Sequence, residues 1–335
     1  MFGNSLVDTL TSKEVNLSHI KLILYSEELA RSDLGGHINS LISNVSVRPQ
    51  TSVAICRGKA EDFFKNVTPV LETSPARYYD LILSSFNYTS ESAGTELLDF
   101  YTAAQSIDRE CAAVLAEITK KDESGQSEQG GNNVQGNNEN SGISGGGSQS
   151  NNEKSEAKFA GIAVFKGSKM VGEISPELTM GHLIITNELQ DGTITVEDIE
   201  NPTKLVSISL RQNKACKFDV KIENDTPKIK IQVYLDAHLQ SSSATTDYLN
   251  NDNKHLLNKK VEEKVTEIVN DYLNKLIELD SDIAGLGREA RQNFLTWKEF
   301  EDLNWQEIFK NSEFEVSTSA ALNVSQIVFH RLPNK

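Results

Sequence analysis

Histidines, cysteines and paired carboxylates are the side chains of this sequence that could take part in chemistry. The six histidines are His19, His37, His182, His238, His255 and His330. None lies three or four residues from another, the spacing that sets two imidazoles on one helix face around a metal ion. Each therefore reads as a surface or partly buried imidazole. Cys56, Cys111 and Cys216 are far apart and form no Cys-x-x-Cys pair. They fit neither a disulfide framework nor a zinc site, and read as buried or idle thiols. Glu27-Glu28, Asp191 with Glu197-Asp198, and Asp280 with Asp282 could serve acid–base work. Helix caps and turns select the same residue types and account for them more simply.

Larger patterns are absent or incomplete. The chain has no His-Glu-x-x-His, no Gly-x-Ser-x-Gly, no phosphate-binding loop and no full Gly-x-Gly-x-x-Gly. Gly285-Leu286-Gly287 is a fragment of the last of these, without the strand that should precede it. Trp297 and Trp305 could stack on a sugar or other ligand, but a packed aromatic core beside the long helix is the better account. Sequons at Asn16, Asn44, Asn66, Asn87 and Asn323 fit chance in an Asn- and Ser-rich chain. The expectation is a protein with no catalytic, cofactor-binding or metal-ligating residues, and not an enzyme.

Charge narrows the partners. Of 335 residues, 48 are acidic and 33 are Lys or Arg, a formal charge of −15. Nucleic acid needs clustered basic residues to neutralise phosphate, and there is no such cluster. The same excess of acid argues against direct binding to anionic lipid heads. No run approaches the ~20 apolar residues of a membrane span. Met1–Ser5 has neither a basic nor an apolar signal region. Taken literally, the sequence describes a soluble chain.

The elements that would position these residues fall into two kinds, on either side of a polar tract. Residues 1–50 and 51–120 mix short apolar strands with helices. His19–Tyr25 and Ser52–Cys56 read as strands, Ser26 caps a helix with acids in its first turn, and Cys111–Ile118 reads as a strand or a buried helix. Residues 121–157 have almost no apolar side chain and read as a disordered linker rich in Gly, Asn, Ser and Gln, its ends ~30–35 Å apart as a flexible coil. In 158–330, Ala160–Lys166 and Met170–Ile174 flank Gly167-Ser168 as a hairpin. A Ser175-Pro176 helix start follows, then strands alternating in hydrophobicity at Lys204–Arg211, Phe218–Ile222 and Lys228–Leu239.

Val261, Val265, Ile268, Val269, Tyr272, Leu276 and Ile277 then mark one face of a long helix, about 253–280, starting at an Asp252 or Asn253 cap. Phe314–Val324 supplies a closing strand. The fold class expected is α+β. Residues 1–50 would be the remnant of a first α/β domain and 51–120 a second small one. Residues 158–330 would be a C-terminal domain of antiparallel sheet packed on one long helix.

Three blocks carry a family resemblance: SHIKLILYSEELAR at Ser18–Arg31, GIAVFKGSKMVGEI at Gly161–Ile174, and DIAGLGREARQNFLTW at Asp282–Trp297, followed by Trp305. Their order and spacing resemble the Ger(x)C family, the C subunits of bacterial spore nutrient germinant receptors. The resemblance implies a non-enzymatic lipoprotein at the outer face of the spore inner membrane. Its partners would be a polytopic A subunit and a transporter-like B subunit, acting in nutrient-triggered germination. It supplies no catalytic or ligand residues to carry over. The alternative is a free-standing soluble binding protein not assembled into a receptor.

The family pattern opens with a signal peptide, a lipobox cysteine and ~80–100 residues of mixed strands. Met1 falls inside that first domain, so the signal, the lipid-anchor cysteine and part of the domain are expected to be missing from this chain. Glu173 stands where the family often has an aromatic residue, and Phe329-His330 where it usually has glycine.

Overall fold

The computed structural model describes residues 17–67, 74–84, 90–120, 155–244 and 246–324. Residues 1–16, most of the expected linker and the Phe329-His330 pair lie outside them, as does Asn87. Among the described residues the chain builds two five-stranded sheets.

The first sheet starts with β1 (Leu22–Ser26) and continues through α1 (Glu27–Ser32) and α2 (Gly35–Ile42) to β2 (Ser52–Cys56). Then come α3 (Ala60–Asn66), α4 (Pro75–Ser84), α5 (Leu97–Ala104), β3 (Ala112–Lys120), β4 (Ser155–Lys166) and β5 (Lys169–Ile174). Strands β1, β2 and β3 are parallel, and β4 and β5 add antiparallel beyond them. One sheet thus takes strands from each of the stretches 1–50, 51–120 and 158–330. Ser155–Ala157, read as the end of the linker, is already strand. The hairpin expected to open the C-terminal domain pairs along its first strand with β3. Phe159–Phe165 is buried without interruption. A strand covered on both faces belongs inside a sheet and needs a neighbour on each edge.

Strand periodicity sorts this sheet into two faces. Val53, Ile55, Ala163 and Phe165 pack with Ala30, Ile38 and Phe100 of α1, α2 and α5. Ala54, Cys56, Val114 and Ala116 pack with Phe63, Tyr79 and Leu83 of α3 and α4. Phe64 is half-exposed, because its neighbour Phe63 takes the buried side of α3. Ser26 caps α1 as expected, accepting from Leu29 N at 3.4 Å. Gly35 and Gly36 are the first residues of α2.

The second sheet follows α6 (Pro176–Ile185) and contains β6 (Gly192–Glu197), β7 (Leu205–Arg211), β8 (Lys217–Glu223) and β9 (Thr226–Ser242). Beyond it lie α7 (Asn251–Leu279), α8 (Leu286–Arg291), α9 (Trp297–Leu303), α10 (Trp305–Ile308) and β10 (Glu313–Asn323). β8 pairs with the first part of β9 and β7 with the last, both antiparallel. β10 runs parallel to β9 from Lys228 to His238, the one parallel pair of this antiparallel-rich sheet among the described residues. The cause is α7: a 29-residue helix carries the chain back along the sheet, so the next strand starts where β9 started.

The face of α7 is the one expected. Leu257, Val261, Val265, Val269, Tyr272, Leu273 and Leu276 are buried in one core with Ile229, Ile231, Val233 and Leu235 of β9. Each buried Val or Leu there contributes about 1.5–3 kcal/mol. The cap is Asn250, ahead of the expected Asp252 or Asn253, and it accepts from Asp252 N at 2.9 Å. α6 is covered almost all round, wedged between β4 and α7. Gly181 makes that crossing possible: a Cβ there would stand 2.6 Å from Cβ of Tyr272. Ile162, Val164 and Ile174 of the first sheet join the same core, so the hairpin serves both halves of the molecule.

α7 also closes the free edge of β10. Ala320 N donates to Glu262 Oε1 at 2.9 Å, Leu322 N donates to Asn258 Oδ1 at 3.1 Å, and Thr266 and Thr318 hydroxyls share a 2.8 Å hydrogen bond. Four helical residues rise about 6 Å and two strand residues about 6.7 Å, so helix positions spaced by four stay in step with alternate strand residues. An edge that could pair with another chain is thereby covered.

Candidate functional site

The turn after α7 is a hub between the two halves. Asp280 ends the helix in the left-handed region, with φ 49° and ψ 49°. Ser281 Oγ then donates to the Phe165 carbonyl of β4 at 2.6 Å, and Asp280 pairs with Lys166. The Asp282 carboxylate is buried. Its Oδ1 accepts from Leu286 N at 3.0 Å, and its Oδ2 from Gly287 N at 2.8 Å and from Trp305 Nε1 at 2.9 Å. The Asp282 carbonyl accepts from Glu110 N at 2.9 Å. Glu110 in turn accepts from Gly167 N at 2.6 Å, and Arg291 pairs with buried Asp108 at 2.7 Å.

Both glycines of the Gly-Leu-Gly fragment have structural causes. Gly285 sits at φ 72°, where only glycine is unstrained. A Cβ on Gly287 would stand 2.5 Å from the Asp108 carbonyl oxygen and 2.7 Å from the Trp305 ring. The fragment permits close approach of chain segments.

Burial sets the electrostatics of the hub. It lifts the Asp282 carboxyl to about 6, against the opposing hydrogen bonds from Gly287 N, Leu286 N and Trp305. It lifts Glu110 to about 7, with Gly167 N opposing and the Asp282 charge adding. Neither was a sequence candidate in this role. Asp282 stands out in the sequence only as a partner of Asp280 and as the start of the third block, and a single Glu110 between α5 and β3 leaves no periodic signal.

Beside the hub lies a cavity of about 490 Å³, walled by residues of α5, α6 and α8 and the segments around them. A wider hollow of about 810 Å³ adjoins it, sharing Ala93, Gly94, Thr95, Asp99, Asn187 and Glu188. Arg109, Glu110, His182 and Arg288 line the first. His182 Nδ1 lies 2.7 Å from Tyr272 Oη, and burial lowers the imidazole to about 4, so the ring is neutral at ordinary pH.

The other sequence candidates disperse. Cys56, Cys111 and Cys216 are buried and free, and burial raises all three thiols, Cys216 to about 11. Glu27 pairs with Arg31 within α1. Asp191 lies 3.5 Å from Arg211. Asp198 is buried. Burial would raise its pKa, but hydrogen bonds from Tyr248, Asn201 N, Thr246 and Glu200 N outweigh that and lower it. It tethers a turn, and adjacent Glu197 is exposed. Trp305 is core, while Trp297 is half-exposed under the Arg291 guanidinium, 5.2 Å from the ring centroid. Among the described residues, no group of three or more His, Cys, Asp or Glu is placed to hold a metal ion. No helix among them is long and apolar enough to cross a membrane.

The three sequence blocks converge in space. The first is β1 and α1, the second is the β4–β5 hairpin, and the third is the hub and α8. Leu34 N donates to the Ser168 carbonyl at 2.9 Å, and Ser168 Oγ to Asp33, joining the hairpin turn to the end of α1. Glu173, where an aromatic was expected, pairs with Arg57 at 3.0 Å on the exposed side of the sheet.

Two family models match in order. The "spore germination protein N-terminal domain" matches residues 4–120, and "spore germination B3/GerAC like, C-terminal" matches 160–325. The chain belongs to the Ger(x)C family. It is similar to the putative spore germination protein YfkR of Bacillus subtilis (strain 168), 21% identical over 314 residues that make up 94% of this chain and 73% of that protein. It is similar to the spore germination protein GerQC of Bacillus cereus, 22% identical over 173 residues, 50% of this chain and 45% of that one. A Ger(x)C fold is also seen in the likeness to the crystal structure of the GerBC protein, with a TM-score of 0.59 at 19% identity over 91% of this chain and 79% of that chain. The α+β class, with a long helix on an antiparallel-rich sheet, agrees with that fold.

Proposed function

We propose that this Ger(x)C spore germination protein is the C-type subunit of a nutrient germinant receptor. It works without catalysis, through contacts with the polytopic A subunit and the transporter-like B subunit at the outer face of the spore inner membrane. The observation that carries this reading is the pair of family matches, which follow one another over 4–120 and 160–325. The chemistry of the interior supports it. The buried acids at the hub are bound by main-chain N–H groups and an indole, which suits architecture, and the thiols are shielded. Leu295, just before α9, is 96% exposed, and Trp297, its first residue, 52%. Exposed Trp and Leu side chains of this kind suit a protein contact.

The test is affinity purification of a tagged chain from detergent-solubilised spore membranes. Both membrane subunits should co-purify, in a ratio that washing leaves constant. Recovery of the chain without either subunit would refute the assembly.

A further inference from the structure

The cavity beside the hub is lined by two guanidinium groups, neither of them in an ion pair among the described residues. Its volume, about 490 Å³, lies in the range of small-molecule sites. Arg109 is partly buried and donates from Nη2 to the Thr102 hydroxyl at 2.8 Å. Among the described residues its Nε and Nη1 meet no acceptor, and Nε is sealed from solvent. A second guanidinium, Arg288, stands exposed at the same cavity, with no ion pair or hydrogen bond among the described residues. Their shared location is fixed by Gly285: a Cβ there would lie 3.7 Å from Arg109 Cβ and 3.6 Å from Arg288 Cδ. Burial, then the Arg288 charge, lowers the pKa of Arg109. Two like charges gathered at one partly enclosed site, one with its Nη1 donors unused, are suited to an anion.

We infer that this cavity binds a small organic acid whose carboxylate is held by Arg109 and Arg288. Asp99, Glu188 and Glu289 line the same cavity, and Asp99 acts on Arg109, so a ligand that also carries hydrogen-bond donors fits better than a doubly charged phosphate. Burial raises Glu110 to about 7, so this acid is only partly ionised near neutral pH, and burial raises Glu188 as well. This site is independent of the receptor assignment, because the isolated chain contains all of it.

The experiment is an acetate titration of the full chain, labelled with ¹⁵N-arginine, at constant ionic strength and pH 7.5. The readout is the set of arginine Nε–H signals by NMR. The signals of Arg109 and Arg288 should shift along a saturable curve in the millimolar range, as expected for so few ligand atoms. Chloride at equal strength should not reproduce the shifts. Arg288→Gln should weaken acetate at least about tenfold, the loss of one charge-assisted contact. Arg211→Gln, at the adjoining hollow and paired with Asp191, should leave the curve unchanged. Linear shifts that chloride matches would overturn the inference, as would an unchanged curve in Arg288→Gln that retains the wild-type amide spectrum.

Discussion

Trp305 donates its indole N–H to Asp282 Oδ2 at 2.9 Å, with both side chains buried between the two halves of the molecule. Trp305→Phe keeps an aromatic ring but removes that donor from a buried carboxylate. Unfolding in urea should show a loss of at least about 2 kcal/mol, from the hydrogen bond and the lost volume together. Trp297→Phe, at a half-exposed ring, should stay within about 0.5 kcal/mol. Equal losses for the two would remove Asp282–Trp305 from its place at the centre of the hub.

Gly287→Ala tests the close approach. In an ordinary helix the change stabilises by roughly 1 kcal/mol. Here the new methyl would stand 2.5 Å from the Asp108 carbonyl oxygen. The expected outcome has the opposite sign, a loss of about 1–3 kcal/mol in thermal or urea unfolding. A stabilised variant would contradict the packing of α8 on the segment before β3.

The buried acids make stability depend on pH. Glu110 is raised from 4.5 to about 7 and Asp282 from 3.8 to about 6, chiefly by burial. Between their unfolded and folded values, the folded state holds protons that the unfolded chain has released. Their contribution is therefore fully present below pH 4 and is lost as pH rises through about 6 to 7. Glu110→Gln removes the cost of ionising one of them and can still accept from Gly167 N. It should stabilise by about 1–3 kcal/mol at pH 8 and by much less at pH 4. Urea midpoints at the two pH values give the comparison, and a pH-independent difference would show that ionisation is not the cause.

The side chains of α7 that cover β10 give a local prediction. Asn258→Ala and Glu262→Ala each free one backbone N–H, of Leu322 and Ala320 respectively. Each should cost about 1 kcal/mol. Hydrogen exchange should speed up at the corresponding amide and leave β7 unchanged. Unaltered exchange at Leu322 and Ala320 would mean that the helix protects the edge by packing alone.

What the sequence made legible follows from periodicity. Val261 to Leu276 repeats at helical spacing over several turns, and Ile229 to Leu235 alternates cleanly, so both elements and their buried faces could be read directly. The uninterrupted apolar run of β4 carries no such phase. Its place inside the first sheet depends on residues more than forty positions earlier, in β3. The direction of β10 was hidden for a related reason, since alternation fixes which face is buried and says nothing about the strand's neighbour. The cavity was invisible because Arg109, His182 and Arg288 come from three separate stretches. Gly285-Leu286-Gly287 drew attention as a broken nucleotide pattern, and its cause emerged only with Trp305 and Asp108 set against Gly287.

The most direct measurement of the receptor role is germination of spores from which this gene alone is deleted. Loss of optical density and release of dipicolinic acid would be followed for each of a panel of amino acids, sugars and nucleosides. The response to at least one nutrient should be lost and should return when the gene is restored. Wild-type germination on every nutrient tested would contradict a function as a germinant receptor subunit.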